Sequence, residues 1–479
     1  MGPRMTDWYR KTSWMCLLVV GMTGELMAQD RQILPFEAPP ATQETMGKKF
    51  TAPPGEPVGP VYVNEIELVN QKIDLTRAMS LACQHNPTLK QARLQVSAEL
   101  AKSMQAGLYP NPTFTYIGEQ IFVDAPGDKD SPGEFQGGKI TQRFVTADKL
   151  KLSASKYAQR AHVSEHRSVA QQFRVCNDVR MHFYQTLASR SRLMLRMESL
   201  KTAEDQSLTV REMYNLGQVK RYDVHKANVQ LQQARLQLQQ SQHEMRRRLR
   251  ELNAVIGIPL PLQNLEGKLT PEGEAFTNEF AEAHVLTQSP ELSAARAKLR
   301  SDEITIQREK VEWIPDIVVS AGSGYNFEAK ETVGLAEIQL EIPLYDRNQG
   351  TIAQAQSDYF RQCREIERIQ QLLRHELAMT YEQYAMSYEH AVEYRDMIVP
   401  EMKAAYQELL ISYKRDREEW PTVLQAHNDY VQVRLEQIHF EEEFRMNEIL
   451  IMGYLLKGGL QAAPGAVPPG HIDAVPKPR

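Results

Sequence analysis

Lys139 to Ile256 is a run of 118 residues without a proline and with one glycine, set in Tyr214-Asn215-Leu216-Gly217-Gln218-Val219-Lys220. Thr351 to Met452 repeats the pattern, with no glycine and with only Pro400 and Pro421. Glycine and proline are the strongest local punctuators of structure, so each run reads as a pair of very long helices hinged near its middle. At 1.5 Å per residue, a helix of sixty-odd residues spans about 90–100 Å. Such lengths belong to coiled coils, fibres and tubes.

The helices carry heptads. Val224, Leu231, Leu238, Met245 and Leu252 fall seven apart, and beside them run the small residues Ala227, Ala234 and Ser241. A seam with a small row permits close helix approach. A second row, Tyr222, Val229 and Leu236, lies on an adjacent face. Two seams give the helix a neighbour on each side, whereas a solitary two-stranded coil needs one. The remaining surface is rich in Gln and Arg, so these helices stand in water.

Outward from the runs, the chain repeats itself, and repeats constrain a fold more than any single motif. Asn86-Pro87-Thr88-Leu89 recurs as Ser289-Pro290-Glu291-Leu292, Leu108-Tyr109-Pro110 as Trp313-Ile314-Pro315, and Tyr214 and Ala227 as Tyr413 and Ala426. Two copies of helix–strand–strand–helix–helix–helix account for nearly all of residues 72–457. The copies occupy residues 72–257 and 277–457, joined by a linker over 258–276.

Four strands are expected where the helical patterns stop: Thr113–Val123, Lys139–Val145, Asp316–Phe327 and Val333–Pro343. In the last, Ile338, Leu340 and Ile342 alternate with Glu337, Gln339 and Glu341. Side chains alternate across a strand, so one face is apolar and the other acidic or amide. A barrel wall between lipid and a watery lumen requires that pattern; a half-buried strand over a soluble core produces it too. Read as barrel wall, Glu337, Gln339 and Glu341 face the lumen.

Composition narrows the class. The net charge of −5 is mild and calls for no nucleic acid. No run of eighteen apolar residues marks a spanning helix. Residues 1–28 read as a secretory signal, with Arg4, Arg10 and Lys11 before the apolar Trp14–Val20. Residues 29–71 form a Pro-rich linker, and residues 458–479 repeat that composition as a disordered tail. Cys83, Cys176 and Cys363 remain after the signal, an odd number on separate helices, so no disulfide framework is expected. His162-Val163-Ser164-Glu165-His166 matches the H-x-x-E-H pattern of some zinc proteases. It lacks a third ligand and cleft-forming elements, so no enzyme, metal site or cofactor is expected.

Together these features resemble the outer-membrane efflux family, the TolC-type exit ducts, and most of all its heavy-metal (cobalt–zinc–cadmium type) branch. The resemblance rests on the paired helix starts at Asn86-Pro87 and Ser289-Pro290, on Tyr109-Pro110-Asn111-Pro112 before the first strand, and on Tyr214-Asn215-Leu216-Gly217 followed by Asp223-Val224. Ile342-Pro343-Leu344-Tyr345-Asp346-Arg347-Asn348-Gln349-Gly350 points to the branch. The resemblance implies a mainly α protomer with a small β part. Three protomers form a homotrimer: twelve strands, four from each, make one barrel in outer-membrane lipid, and the helices make a hollow cylinder in the periplasm. A periplasmic adaptor and an inner-membrane pump complete the conduit, a tripartite efflux system whose exit duct passively carries small molecules or metal cations from the periplasm to the exterior. The alternatives are a type I secretion duct for proteins or peptides and, in a different class, a periplasmic adaptor or structural coiled coil; an adaptor has one helical hairpin and no duplication.

In such ducts the helical hinges form the periplasmic aperture and contact the adaptor. The resemblance places Tyr214, Gly217 and Asp223 at the first hinge, and Tyr413, Asp416, Glu418, Glu419, Thr422 and Gln425 at the second. Tyr413 keeps the family's tyrosine. Asp416 stands at the turn glycine, Glu418 at an arginine, and Thr422 and Gln425 at acidic rings. Tripled acids at Asp416, Glu418 and Glu419, and at Glu337 and Glu341, would attract cations.

Overall fold

The computed structural model describes residues 72–121, 133–261, 265–271, 273–415 and 419–465. The expected signal (1–28) and linker (29–71) lie outside them, as do Asp416 and Glu418. In chain order the first repeat comprises α1 (Leu75–His85), α2 (Pro87–Ala106), β1 (Thr113–Glu119), β2 (Phe135–Phe144), α3 (Lys149–Asn215) and α4 (Arg221–Ile256). The second comprises α5 (Asn278–Gln288), α6 (Pro290–Lys310), β3 (Ile317–Asn326), β4 (Glu331–Leu340), α7 (Gln349–Glu393), a π-helical turn (Tyr394–Ile398), α8 (Val399–Lys414) and α9 (Trp420–Met452). Both repeats place two helices before the strands and two after, where one and three were expected, and in the second the long helix is interrupted by the π-helical turn.

The repeated motifs are helix starts. Asn86 caps α2, its Oδ1 accepting the Thr88 amide at 2.9 Å, with Pro87 in the first turn. Ser289 does the same for α6 ahead of Pro290, accepting the Leu292 amide at 3.5 Å. A capping side chain satisfies an orphan amide, and proline fits the first turn because its missing N–H is not needed there.

α3 is 67 residues long, about 100 Å at 1.5 Å per residue. Its return partner α4 is only 36 residues, so the hinge is not at the middle of the run. The physical reason is that α4 shares the length of α3 with α2. Ser103 on α2 donates to the Ala154 carbonyl at 2.8 Å, near the start of α3. Farther along, α4 takes over: Arg248 binds Gln185 at 3.0 Å, Arg196 binds Gln237 at 2.9 Å, and Gln206 binds Gln230 at 2.9 Å. The two short helices meet end to end where Asn86 Nδ2 donates to the Val255 carbonyl at 2.7 Å. On its other flank α3 meets α6, through Arg308 to Ser153 at 3.0 Å, and then α9, through Arg192 to Glu442.

Each joint holds an apolar core. In the first repeat Ile73, Leu81, Leu89, Val175, Val179, Phe183, Leu252 and Ile256 are buried together. In the second, Val285, Leu292, Leu373, Tyr384, Phe444 and Ile451 form the cluster, with Phe276 stacked on Tyr384 at 4.2 Å. Beyond the joints the contacts between α3 and α4 turn to amides, so apolar burial concentrates where four helix ends converge. In the heptad, Ala227, Met245 and Leu252 are buried, whereas Tyr222, Val229 and Leu236 stay 57–70% exposed.

The tail departs from expectation at its start. Gly458 and Gly459 donate to the Asp178 carboxylate at 3.2 and 2.6 Å, and Gln171 binds the carbonyls of Gly459 and Gln461 at 3.0 and 2.9 Å. A Cβ on Gly459 would lie 2.7 Å from the Val175 Cα. Gly459 permits close approach to α3, where composition alone suggested disorder.

The strands form one antiparallel sheet in the order β1-β2-β3-β4. β2 begins at Phe135, four residues before its expected start. Among the described residues, β1 and β4 each pair on one side only. No helix among them is long and apolar enough to cross a membrane.

Candidate functional site: the sheet faces and the helical hinges

Register divides the sheet into two faces. Thr113, Thr141 and Ser320 align with Glu337, while Phe114, Ile140, Ala321 and Ala336 align on the opposite side. On the first face the Thr141 and Ser320 hydroxyls share a hydrogen bond of 2.8 Å. Lys139 Nζ meets Glu337 Oε2 at 3.2 Å. Gln339 lies on this face too, opposite Val318, and Glu341 follows the end of β4. On the other face Phe114, Tyr116, Ile140, Phe144, Ile338 and Leu340 are all exposed. The alternation seen in one strand thus extends across the row from Thr113 to Glu337, while farther along the strands Ile117, Phe135, Val333 and Leu335 share the face of Glu337. What single-strand reading missed is the basic partner: Lys139 shares the face of Glu337 and half-neutralises the expected acidic row. Arg143 stands beside it, paired with Asp316 at 2.6 Å; Asp316 also binds Lys149 at 2.9 Å and so ties the sheet to the start of α3.

At the first hinge, the Gln218 amide donates to the Met213 carbonyl at 2.9 Å and Gly217 has φ +75°. That is the glycine-terminated helix end in which a left-handed residue lets the chain turn back onto the last carbonyls. A Cβ at Gly217 would meet nothing within 4 Å, so glycine is required by the backbone and not by space. Asp223 then opens α4, accepting the Lys220 amide at 3.0 Å; part of its role is a helix cap. Tyr214, Leu216 and Tyr222 are exposed at this tip.

At the second hinge the Tyr413 ring packs on Trp420, centroids 4.9 Å apart and planes tilted by 53°. Glu419 precedes α9 in extended conformation, its carbonyl accepting the Thr422 amide at 3.1 Å. Gln425 is exposed and donates along its own helix to Asp429 at 2.8 Å. Among the described candidates, Tyr413 therefore engages Trp420, and Glu419 engages Thr422 through the backbone.

Just inside this hinge sits a cluster that sequence reading missed. His427 is 3% exposed; its Nε2 lies 3.3 Å from the Thr202 hydroxyl of α3, and its ring meets Tyr406 of α8 edge-on at 5.3 Å. Tyr406 stacks in turn over Tyr430 at 6.2 Å. Burial holds the His427 imidazole below its usual pKa, opposed by the charge of Glu198. The signal available beforehand was the aromatic density around Pro421, but only the packing of α8, α9 and α3 brings these rings together.

The H-x-x-E-H motif does not assemble a centre. His162 Nδ1 pairs with Glu165 at 2.8 Å on the exposed face of α3, and His166 is half-buried, burial lowering its pKa. No group of three or more metal-ligating His, Cys, Asp or Glu exists among the described residues.

Comparison with known proteins agrees with this architecture. Residues 78–258 match the model of the family described as outer membrane efflux protein. The cobalt-zinc-cadmium resistance protein CzcC of Cupriavidus metallidurans is 23% identical over 373 residues, covering 76% of this chain and 85% of that protein. The nickel-cobalt-cadmium resistance protein NccC of Alcaligenes xylosoxydans xylosoxydans is 22% identical over 269 residues, 56% of this chain and 60% of the relative. The crystal structure of the outer membrane protein VceC from Vibrio cholerae superposes with a TM-score of 0.64 at 15% identity, covering 80% of this chain and 96% of that one.

Proposed function

We propose that this chain, which belongs to the outer membrane efflux protein family, is the exit duct of a tripartite system that carries divalent metal cations from the periplasm to the exterior. It is an outer-membrane protein with a helical part in the periplasm. The observation that carries the finer reading is the four-stranded sheet, which puts Phe114, Tyr116, Ile140, Phe144, Ile338 and Leu340 on one face and Lys139, Thr141, Ser320 and Glu337 on the other and, among the described residues, has an edge strand at each side. In hydrocarbon an open edge leaves backbone groups without partners, so such a sheet has to close. Three copies close it into twelve strands, with Phe114, Tyr116, Ile140 and Ile338 against lipid. The exposed Tyr222-Val229-Leu236 row of α4 meets the neighbouring protomer.

Glu337, Gln339 and Glu341 then face the lumen. Because Lys139 pairs with Glu337, the lumen is a mixed-charge wall, and cation preference falls to the acids of the aperture, Asp416, Glu418 and Glu419. The hinges, with Tyr214, Gly217 and Asp223 on one side and Tyr413, Thr422 and Gln425 on the other, dock the helical hairpin of a periplasmic adaptor, which links the duct to an inner-membrane pump. The duct is passive; the pump supplies energy and selects cargo. The metal class follows from the similarity to CzcC and NccC, whose names state cobalt, zinc, cadmium and nickel resistance.

Two measurements test the reading. The detergent-extracted protein should have the mass of a trimer, and deleting its gene should sensitise cells to cobalt, zinc or cadmium. A stable soluble monomer would overturn the duct; a trimer whose loss leaves metal tolerance unchanged would overturn the cargo.

A further inference from the structure

Two of the three cysteines in the described chain are neighbours. Cys83 lies on α1 and Cys176 on α3, 93 positions apart. The register beside them fixes the facing. One turn before Cys83, Met79 Sδ accepts a hydrogen bond from Arg180 Nε at 3.3 Å, and Arg180 is one turn after Cys176. The two helices thus run antiparallel past each other, and the register that seats Arg180 on Met79 sets Cys176 against Cys83 one turn away. Both thiols are partly accessible, and Cys83 packs on the apolar core that holds Ile73 and Val179. Cys363 sits on α7 in the other repeat.

We propose that Cys83 and Cys176 form a reversible disulfide that latches α1 to the long helix α3 at the joint where α2 and α4 meet. This rests on the periplasmic placement of the helices, since the periplasm is the oxidising side of the cell.

The chemistry is a two-electron exchange with a disulfide-bearing oxidant, either a thiol–disulfide oxidoreductase or a small-molecule disulfide. The Cys83 thiolate attacks one sulfur of the oxidant, forming a mixed disulfide and releasing the other sulfur as a thiolate. Cys176 gives its proton to solvent and attacks Cys83 Sγ, expelling the second thiol of the oxidant. Two S–H bonds are lost, one S–S bond forms, and the oxidant disulfide becomes two thiols. The surroundings assign the order of attack. The charge of Arg93 favours the Cys83 thiolate, whereas burial pushes the Cys176 thiol up. Thiolate is the nucleophile, so Cys83 attacks first.

The test uses the full-length protein in detergent. After complete reduction it is equilibrated with oxidised glutathione, free thiols are alkylated, and peptides are mapped by mass. The expected result is a cross-linked pair carrying Cys83 and Cys176, lost on reduction, with Cys363 unlinked. Cys83→Ser and Cys176→Ser should each abolish the cross-link, and Cys363→Ser should leave it complete. Wild-type protein in which Cys83 and Cys176 remain separately alkylated or glutathionylated at equilibrium would overturn the latch. Alkylation in intact cells before lysis reads the compartment separately. A linked pair in cells supports both inferences, whereas closure in vitro with free thiols in cells supports the latch and counts against the periplasmic placement.

Discussion

The long helices of the two repeats have nearly the same length and different construction. α3 runs 67 residues without a break. Its counterpart, Gln349–Lys414, is made of 45 residues of α-helix, a five-residue π turn and 16 further residues of α-helix. Pro400 stands in the first turn after the π turn, where the offset between Tyr214 and Tyr413 places Lys201 in α3. Proline has no N–H to give and its ring crowds the preceding turn; a π turn is a way to absorb that mismatch without ending the helix. The site is braced from outside: the Tyr394 hydroxyl donates to Glu436 of α9 at 2.7 Å, and Arg395 reaches the Pro271 carbonyl at 3.4 Å. Duplication preserved the length of the wall but not its uniformity, so the two hairpins should differ in stiffness.

The sharpest way to break this comparison is to give α3 the proline of its twin. Lys201→Pro should destabilise the protein by about 3 kcal/mol or more, because α3 runs there as uninterrupted α-helix with no π turn to absorb the ring. Thermal unfolding followed by circular dichroism, with the yield of trimer, reads this. A wild-type midpoint would mean that α3 already tolerates a break.

The joints come next. Asn86→Ala removes a helix cap and leaves the buried Val255 carbonyl without its donor, a loss of about 2–3 kcal/mol. Ser289→Ala, which removes only a long cap bond in the second repeat, should cost about 1 kcal/mol. Equal losses in parallel denaturation curves would show that the Asn86–Val255 contact between α2 and α4 contributes nothing.

The tips differ too. Gly217→Val forces a β-branched residue to positive φ, a strain of about 2 kcal/mol, with no steric clash around it. It should abolish metal tolerance while the trimer still assembles, since the damage is confined to the hinge. Full tolerance in the variant strain would remove this hinge from the docking surface.

The smallest effect concerns pH. Burial depresses the folded pKa of His427, so the unfolded chain takes up a proton more readily. The stability present above the unfolded value of about 6.5 is lost as pH falls through the folded value. Glu198 partly offsets the shift. His427→Gln should flatten the fall in melting temperature below neutrality; identical pH profiles would mean that the imidazole is solvated.

Much of this was legible early. Asn86-Pro87 and Ser289-Pro290 announced helix starts because capping is local chemistry. Gly217 announced a turn because only the backbone decides it. The period-two alternation of Glu337 to Leu340 announced a two-faced strand. The reach of Lys139 across β3 to Glu337 was not legible, because it joins residues nearly two hundred positions apart on strands that do not pair with each other. The docking of Gly459 on Val175 was hidden for a related reason, since glycine marks both flexibility and close approach and only a neighbour distinguishes them. His427 and the Cys83–Cys176 register belong to the same class.

By itself, then, the sequence determined the duplication, the helix starts at Asn86 and Ser289, the two-faced pattern of β4 and the family resemblance. Each of these follows from periodicity, capping or turn chemistry over a few residues. Only the tertiary structure decided that α2 and α4 divide the length of α3 between them, that Glu337 has a basic partner in Lys139, and that Cys83 and Cys176 fall in one register of two facing helices. Those outcomes depend on which distant segments meet, and the free energy that selects the meeting is spread over the buried cores at the two joints and resides in no single motif.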